Sequence, residues 1–270
     1  MSVQLVVLIT GASSGVGQST ARLLSHKGYK VFGTSRSPGR GESAVEMVPL
    51  DVRDDASVRA CVKSVLDQAG RIDVLINNAG YELAGALEET SLEEARAQFD
   101  TNFFGVVRMV KAVLPSMRER GQGRIINVGS LSGVSAIPFM GMYSATKFAL
   151  EGFSDALRTE VAPFHIHVSL VEPGFLKTPM MDKRQPAAAP LSAYDLWRRR
   201  AFDAIRRFEE SAPGPEIVSE TLLDIVSSAS PRLRYLIGRQ AKSTSRLMRL
   251  LPAGMFEQGK RRAFKLDKLS

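Results

Sequence analysis

Apolar runs of strand length recur along this chain, each followed by a segment of helix length, and no other feature constrains the fold as tightly. The runs are "QLVVLIT", "YKVFGTS", "VEMVPLD", "IDVLINN", "GRIINVGS", "IHVSLVEPG" and "RLRYLIG", which makes seven expected strands. Helices are expected over about 15–27, 56–69, 91–118, 142–161 and 217–227. Continuous Val, Ile and Leu, without strict polar alternation, marks strands buried on both faces. That favours a parallel sheet with helices on each side over any antiparallel arrangement. The expected fold is therefore α/β and doubly wound. With 270 residues, 44% of them hydrophobic, one large core can be buried, so a single domain over 1–270 is expected.

Two regions break the rhythm. Residues 176–215 form a long insertion with prolines near both ends and short helical patches inside, the pattern of a substrate lid. The last stretch, about 240–270, is a basic tail. Residues 232–270 hold eleven Lys or Arg against two acids, Glu257 and Asp267, so the formal charge of +8 belongs to this end of an otherwise near-neutral chain. A nucleic-acid binder is not expected from that distribution. Arg246 and Arg249 alternate with leucines, which suits weak association with an acidic membrane surface and equally a packed, solvated helix. Because Leu247, Leu250, Leu251 and Phe256 need something to cover, the tail is expected mainly to pack against the body.

Directly after the first strand stands "TGASSGVG", Thr10 to Gly17. Glycines at 11, 15 and 17 let the backbone turn tightly and approach a pyrophosphate, while the next helix aims its free N–H groups at the same anion. About twenty residues on, where an NAD site places an acid for the ribose hydroxyls, this chain has Ser35 and Arg36. No acid occurs between Gly17 and Glu42, and a guanidinium pairs with a 2′-phosphate that an acid would repel. NADP(H) is the expected cofactor, with Arg40 able to share the role of Arg36. Asp51, in "LDV" with Val52, is placed either to contact the adenine amino group or to cap the next helix.

In "MYSATKFAL", Tyr143 and Lys147 lie four residues apart, so a phenol and an ammonium share one helical face. Taken alone, the pair is equally a packed tyrosine beside a solvated lysine. Its neighbours in the sequence add meaning. "TGASSGVG", "NNAG" at Asn77 to Gly80, "TNFFG" with Asn102, "NVGS" ending at Ser130 thirteen residues before Tyr143, "YSATK", and "EPG" with Thr178 beyond occur in that order. Together they resemble the short-chain dehydrogenase/reductase family over roughly residues 3–178, and the tyrosine helix is similar to its hydroxysteroid and retinol dehydrogenase branch.

The resemblance implies a Rossmann-type fold and a hydride-transfer enzyme in which Asn102, Ser130, Tyr143 and Lys147 are catalytic. It further implies cofactor contacts from Gly11, Ser13, Ser14, Gly15, Val16, Gly17, Ser35, Arg36, Asp51 and Val52. Asn78, Ala79 and Gly80 would lie along the adenosine side, Pro173, Gly174 and Thr178 beside the nicotinamide, and Tyr143 and Lys147 against its ribose. Tyr143 would give a proton to the alkoxide formed from a carbonyl. Moving a phenol from pKa about 10 to about 7 takes roughly 4 kcal/mol. A lysine charge about 5 Å away at an effective dielectric of about 20 supplies roughly 3 kcal/mol, and the oxidised nicotinamide adds to it. Asn102 would act with Lys147 to hold a relay water. A homo-oligomer is implied through the helix bearing Ala149, Phe153, Ala156, Leu157 and Val161.

The substrate has to be read from the loops. Leu131, Val134, Ile137, Phe139, Met140 and Met142, with Met180, Met181, Leu191, Tyr194 and Trp197 in the lid, favour a hydrophobic ketone or secondary alcohol of steroid, retinoid or long-chain type. The alternatives are a small polar carbonyl, or a protein that senses NADP(H) without turnover. His165 and His167 alternate on a strand without partners at metal-site spacing, so no metal is expected. One cysteine, Cys61, and no apolar run long enough to span a bilayer make a cytoplasmic protein the expectation.

Overall fold

The computed structural model describes residues 4–37, 44–178 and 183–267; Arg40, Met180 and Met181 lie outside the described residues. In chain order the elements are β1 (Val6–Ile9), α1 (Gly15–His26), β2 (Lys30–Ser35), β3 (Glu46–Pro49), α2 (Asp55–Ala69), β4 (Val74–Asn77), β5 (Leu83–Ala84), α3 (Leu92–Phe99) and α4 (Gly105–Arg120). There follow β6 (Gly123–Val128), α5 (Gly141–Val161), β7 (Ile166–Pro173), β8 (Gln185–Pro186), α6 (Asp195–Glu210), α7 (Glu216–Ser227), β9 (Arg234–Ile237), α8 (Arg239–Leu250) and α9 (Ala253–Ala263).

Seven strands form one parallel sheet in the order β3-β2-β1-β4-β6-β7-β9, as the apolar runs predict. Register is set by buried pairs such as Val7 opposite Val31 and Val74, and Ile76 opposite Ile126. One face buries Val58, Val62 and Val65 of α2, Met109 and Val113 of α4, and Leu150 and Leu157 of α5. The other buries Ala21 and Leu24 of α1 and Val218, Leu222 and Ile225 of α7. Covering both faces leaves ligands only the carboxyl ends of the strands. The chain winds outward from β1 to β3 and then returns to β4, so the crevice opens beside β1.

Two features depart from the expected elements. The long helix predicted over 91–118 begins at a capping box, in which Ser91 Oγ accepts from Glu94 N and Glu94 returns the bond to Ser91 N. It is then interrupted by one π turn, Asp100–Phe104. That turn holds Asn102, and the extra residue per turn rotates its side chain inward to 1% exposure. The second feature is a small parallel sheet in which β5 pairs with β8, Leu83 opposite Gln185 and Ala84 opposite Pro186. Two-residue strands carry no periodicity to read. Through this pairing the 176–215 insertion is stitched to the body, and α6 then buries Ala201, Ala204 and Ile205 beneath it.

Candidate active site

A cleft of about 700 Å³ runs along the carboxyl ends of the strands. Its walls include Gly11, Ser13, Ser14, Gly15, Val16, Ser35, Arg36, Asp51, Val52, Asn78, Ala79, Gly80, Ser130, Tyr143, Lys147, Pro173, Gly174 and Thr178. Residues predicted from separate motifs thus share one wall. Gly17 and Asn102 do not line it.

At the dinucleotide end, Gly11 turns at φ 68°, and a Cβ there would stand 2.9 Å from Ala79 Cα. Gly17 serves packing instead of the cleft: its Cβ would meet Gly11 O at 2.3 Å. Asn78 donates from Nδ2 to Thr10 O and Gly11 O, both at 3.0 Å, while its own N–H goes to Thr10 Oγ1. Its amide therefore pins the glycine turn. A Cβ on Gly15 would enter open space, and the first turn of α1 carries no acid and no side-chain cap from Ser14. Uncapped N–H groups facing a cleft are the donor set a pyrophosphate needs.

Beyond this turn, Ser35 Oγ is buried without a hydrogen-bond partner, and Arg36 stands exposed at the cleft edge. Asp51 does not cap the next helix. Asp54 does so, accepting from Ala56 N at 2.8 Å. Asp51 instead accepts from Arg53 Nε at 3.0 Å and Nη2 at 2.7 Å, and these bonds, with the charges of Arg53 and Arg36, hold its carboxyl down at about 2. Arg53 is a cleft residue that no motif announced. An orphan hydroxyl, two guanidinium groups and an open glycine turn fit a phosphorylated dinucleotide.

At the other end, Tyr143 and Lys147 project from α5 one turn apart, and Lys147 Nζ lies 5.7 Å from the phenol ring centre. The ammonium donates to Val128 O at 2.8 Å, which fixes it beneath the end of β6. Ser130 follows β6, and its Oγ accepts from Ser132 N at 3.1 Å. Burial pushes the Tyr143 phenol above its ordinary range, with the charge of Glu82 adding to the shift, and a hydrogen bond with Ser130 opposes it. The protein groups alone thus move the phenol opposite to the lowering expected from Lys147 together with the oxidised nicotinamide. Burial also pushes the Lys147 ammonium down, to about 8.

Asn102 is tied to the loop after β4 and to α5. Its Oδ1 accepts from Tyr81 N and its Nδ2 donates to Tyr81 O, each at 3.0 Å, with a 3.3 Å bond to Thr146 Oγ1. It clamps the backbone that follows "NNAG" to the helix of Tyr143.

The substrate half is less apolar than expected. Leu131, Ile137, Met140, Phe175 and Leu176 line it, but Val134, Phe139, Met142, Leu191, Tyr194 and Trp197 do not. Phe139, at φ 61°, turns its ring away to meet Tyr194 and Phe202 edge-on. Lys183 and a buried triad join the wall: Arg184 bonds Glu82 at 2.7 Å and Glu209 at 2.5 Å. These partners come from β4's loop, the strand β8 and α6, so no sequence spacing reveals them. Farther out, Glu89 pairs with Arg198 and accepts from Leu191 N at 2.8 Å, tying the 176–215 insertion to the body.

The tail meets its expectation in part. Phe264 is buried beside Phe208, which stacks on the cleft residue Phe175 at 5.2 Å, in the cluster that contains Tyr143. Leu247 and Leu250, however, cover nothing and are 48% and 79% exposed. Among the described residues no helix is long and apolar enough to cross a membrane, and no group of three or more potential metal ligands occurs.

The short chain dehydrogenase family matches residues 5–189. A 3-ketodihydrosphingosine reductase from Bacteroides thetaiotaomicron is 45% identical over 235 residues, 86% of this chain and 87% of that protein. The 17-beta-hydroxysteroid dehydrogenase type 1 of Homo sapiens is 37% identical over 254 residues, 85% of this chain and 76% of that one. Among solved structures, a short-chain dehydrogenase from Streptomyces avermitilis superposes with a TM-score of 0.82 at 32% identity, covering 97% of this chain and 98% of that one. ElxO with NADP bound superposes with a TM-score of 0.75 at 25% identity, covering 89% and 100%.

Proposed function

Since the chain belongs to the short-chain dehydrogenase family, we propose that it transfers hydride between NADP(H) and a hydrophobic ketone or secondary alcohol, with Tyr143 as acid and base. It is an oxidoreductase acting on the CH–OH and C=O couple, as its named relatives are. The observation that carries the finer reading is the meeting of Ser130, Tyr143 and Lys147 at one end of a cleft whose other end is the glycine turn.

In this reading the phosphates lie on the N-terminus of α1, and Ser35 and Arg36 hold the 2′-phosphate. NADP(H), when bound, supplies or accepts the hydride. Ser130 Oγ donates to the substrate oxygen and holds it beside the phenol. As the carbonyl carbon gains hydride, Tyr143 passes its proton to that oxygen and is reprotonated from water; the reverse reaction runs through the phenolate. A buried phenol above its ordinary pKa is scarcely ionised at neutral pH, so the oxidative direction draws on Lys147 and on the charge of the oxidised nicotinamide to populate the phenolate. Asn102 positions this machinery by clamping Tyr81.

The apolar wall from Leu131, Ile137, Met140, Phe175 and Leu176 supports a large hydrocarbon substrate, as do relatives named for a hydroxysteroid and a ketodihydrosphingosine. Glu82, Lys183, Arg184 and Glu209 on the same wall favour a second reading, a small polar carbonyl. Following NADPH absorbance over steroid, long-chain and short polar ketones separates them. Turnover confined to polar ketones would reject the first reading, and no turnover of any ketone or alcohol would reject both. A cytoplasmic homo-oligomer belongs to the same proposal. Phe104 and Phe148, 48% and 45% exposed on the α4–α5 side, suit a subunit contact.

A further inference from the structure

α8 has one face on the body and one in water, α9 buries no residue along its length, and the outward surface of the pair combines two chemistries. On α8 the buried residues are Ala241 and Ser245. Arg239, Lys242, Arg246 and Arg249 follow one another at spacings of three or four, so they form a single exposed stripe that flanks the buried side, Arg249 lying one turn past Ser245. Leu247 and Leu250 lie beside the stripe, 48% and 79% exposed, and Met255 extends the apolar edge past the corner into α9 at 59% exposure. Between residues 239 and 267 eight Lys or Arg face two acids, and those acids already have partners: Glu257 pairs with Arg261 at 2.6 Å and Asp267 with Arg262 at 3.9 Å.

We propose that this corner, Arg246 to Met255 with the cationic stripe of α8 behind it, docks on an anionic lipid bilayer. An interfacial helix buries apolar side chains at the headgroup boundary while its cations meet anionic lipid, and both requirements are present on one surface. The other occupants satisfy only half of it. Nucleic acid would neutralise the arginines but leave Leu247, Leu250 and Met255 in water. A second copy of this chain would cover the leucines but set two strongly cationic surfaces against each other.

The inner side of the same segment gives docking a consequence for the site. A Cβ on Gly174, a cleft residue, would lie 3.3 Å from Ala241 N, so α8 begins at the cleft wall. Phe264, at the end of α9, packs edge-on to Phe208 beside Phe175. A protein held by this corner keeps the substrate half of its cleft next to the phase in which a hydrophobic ketone dissolves. That consequence rests on the function proposed above; the docking itself rests only on exposure and charge.

Vesicle sedimentation of the full chain tests the proposal without any need for turnover. The probes are phosphatidylcholine vesicles and equimolar phosphatidylcholine–phosphatidylglycerol vesicles, each at low and high salt. Binding to the anionic vesicles is expected to exceed binding to the neutral ones by on the order of tenfold and to weaken with salt. Two double variants, Leu247→Glu with Leu250→Glu, and Lys242→Glu with Arg246→Glu, should each abolish it while leaving NADPH affinity and melting temperature unchanged. Native protein that ignores anionic vesicles overturns the proposal, as does vesicle binding that survives both variants. Tighter binding to a DNA duplex than to the vesicles overturns it in favour of nucleic acid. So does an oligomer, seen by sedimentation equilibrium, that the leucine variant dissociates while native protein leaves vesicles unbound. Failure here leaves the hydride-transfer assay unaffected, so the two readings can fall separately.

Discussion

Tyr143 and Lys147 are both buried, and burial shifts each toward its neutral form, the phenol pKa up and the ammonium pKa down to about 8. For reduction that arrangement suits the tyrosine, which must arrive protonated. Replacing Tyr143 with Phe keeps the ring in its cluster and deletes the proton, so turnover should fall on the order of 10²–10⁴-fold while NADPH affinity by calorimetry stays the same. Retention of more than a few per cent of the rate would remove Tyr143 from the chemistry. Lys147 carries its charge only below about 8, so the native rate of reduction should decline as pH rises through that value. Lys147→Met should weaken NADPH binding as well as the rate; unchanged affinity would argue against its contact with the ribose. At the adenosine end, Arg36→Asp should turn a preference for NADPH into one for NADH. A charge-assisted bond of about 1.5–3 kcal/mol corresponds to a change of roughly tenfold to a hundredfold, and equal affinities of the native protein for both cofactors would sink the assignment. These residues were legible in the sequence because each sits in a local pattern: a turn between strand and helix, a strand end, a one-turn spacing. Arg53 was not, because its partner Asp51 is shared with no motif of its own. Nor was the clamp formed by Asn102, which depends on a π turn that helical periodicity does not encode.

Between elements, ion pairs hold the 176–215 insertion to the body. Arg184 sits between Glu82 and Glu209 with about 15% of its side chain exposed, and it joins β8 and α6 to the loop after β4. Removing the central cation leaves two carboxylates facing one another in a poorly solvated wall. Arg184→Met should therefore cost about 3–5 kcal/mol of stability, raise KM for substrate and speed proteolysis within 183–210. Adding Glu82→Gln and Glu209→Gln should recover stability, since no buried charge then lacks a partner. A melting temperature unchanged by Arg184→Met would show that the triad does not hold the lid. Helices and strands of the main sheet could be read from periodicity because each buries a face along its own length. The latch could not be: Glu82 and Arg184 are 102 residues apart, and β5 and β8 are each two residues long.

Across the whole molecule, the sheet is tied to its covering helix by a carboxyl pair that no catalytic role requires. Glu172, near the carboxyl end of β7 and beside the edge strand β9, is 1% exposed and hydrogen-bonds Glu151 of α5, while Arg234 of β9 bonds Glu151 at 2.9 Å and Asp155 at 2.7 Å. Burial, reinforced by the charge of Glu151, pushes the Glu172 carboxyl up to about 8, and Arg234 and Arg249 only partly offset it. A group whose folded pKa lies above its unfolded value contributes stability that is complete below the unfolded pKa and is lost as pH rises through the folded one. For Glu172 the window runs from about 4.5 to about 8. Native protein should thus lose on the order of a few kcal/mol across that range through this group. Glu172→Gln keeps a donor for Glu151 and does not titrate, so the difference in melting temperature between variant and native protein should grow in the variant's favour from pH 5 to pH 9. Titrating groups remote from Glu172 are common to both proteins and cancel in the difference, so what remains belongs to the Glu172–Glu151 pair. Parallel melting curves over that range would mean that Glu172 is already ionised in the folded protein and that Arg234 carries more of the pair than burial does.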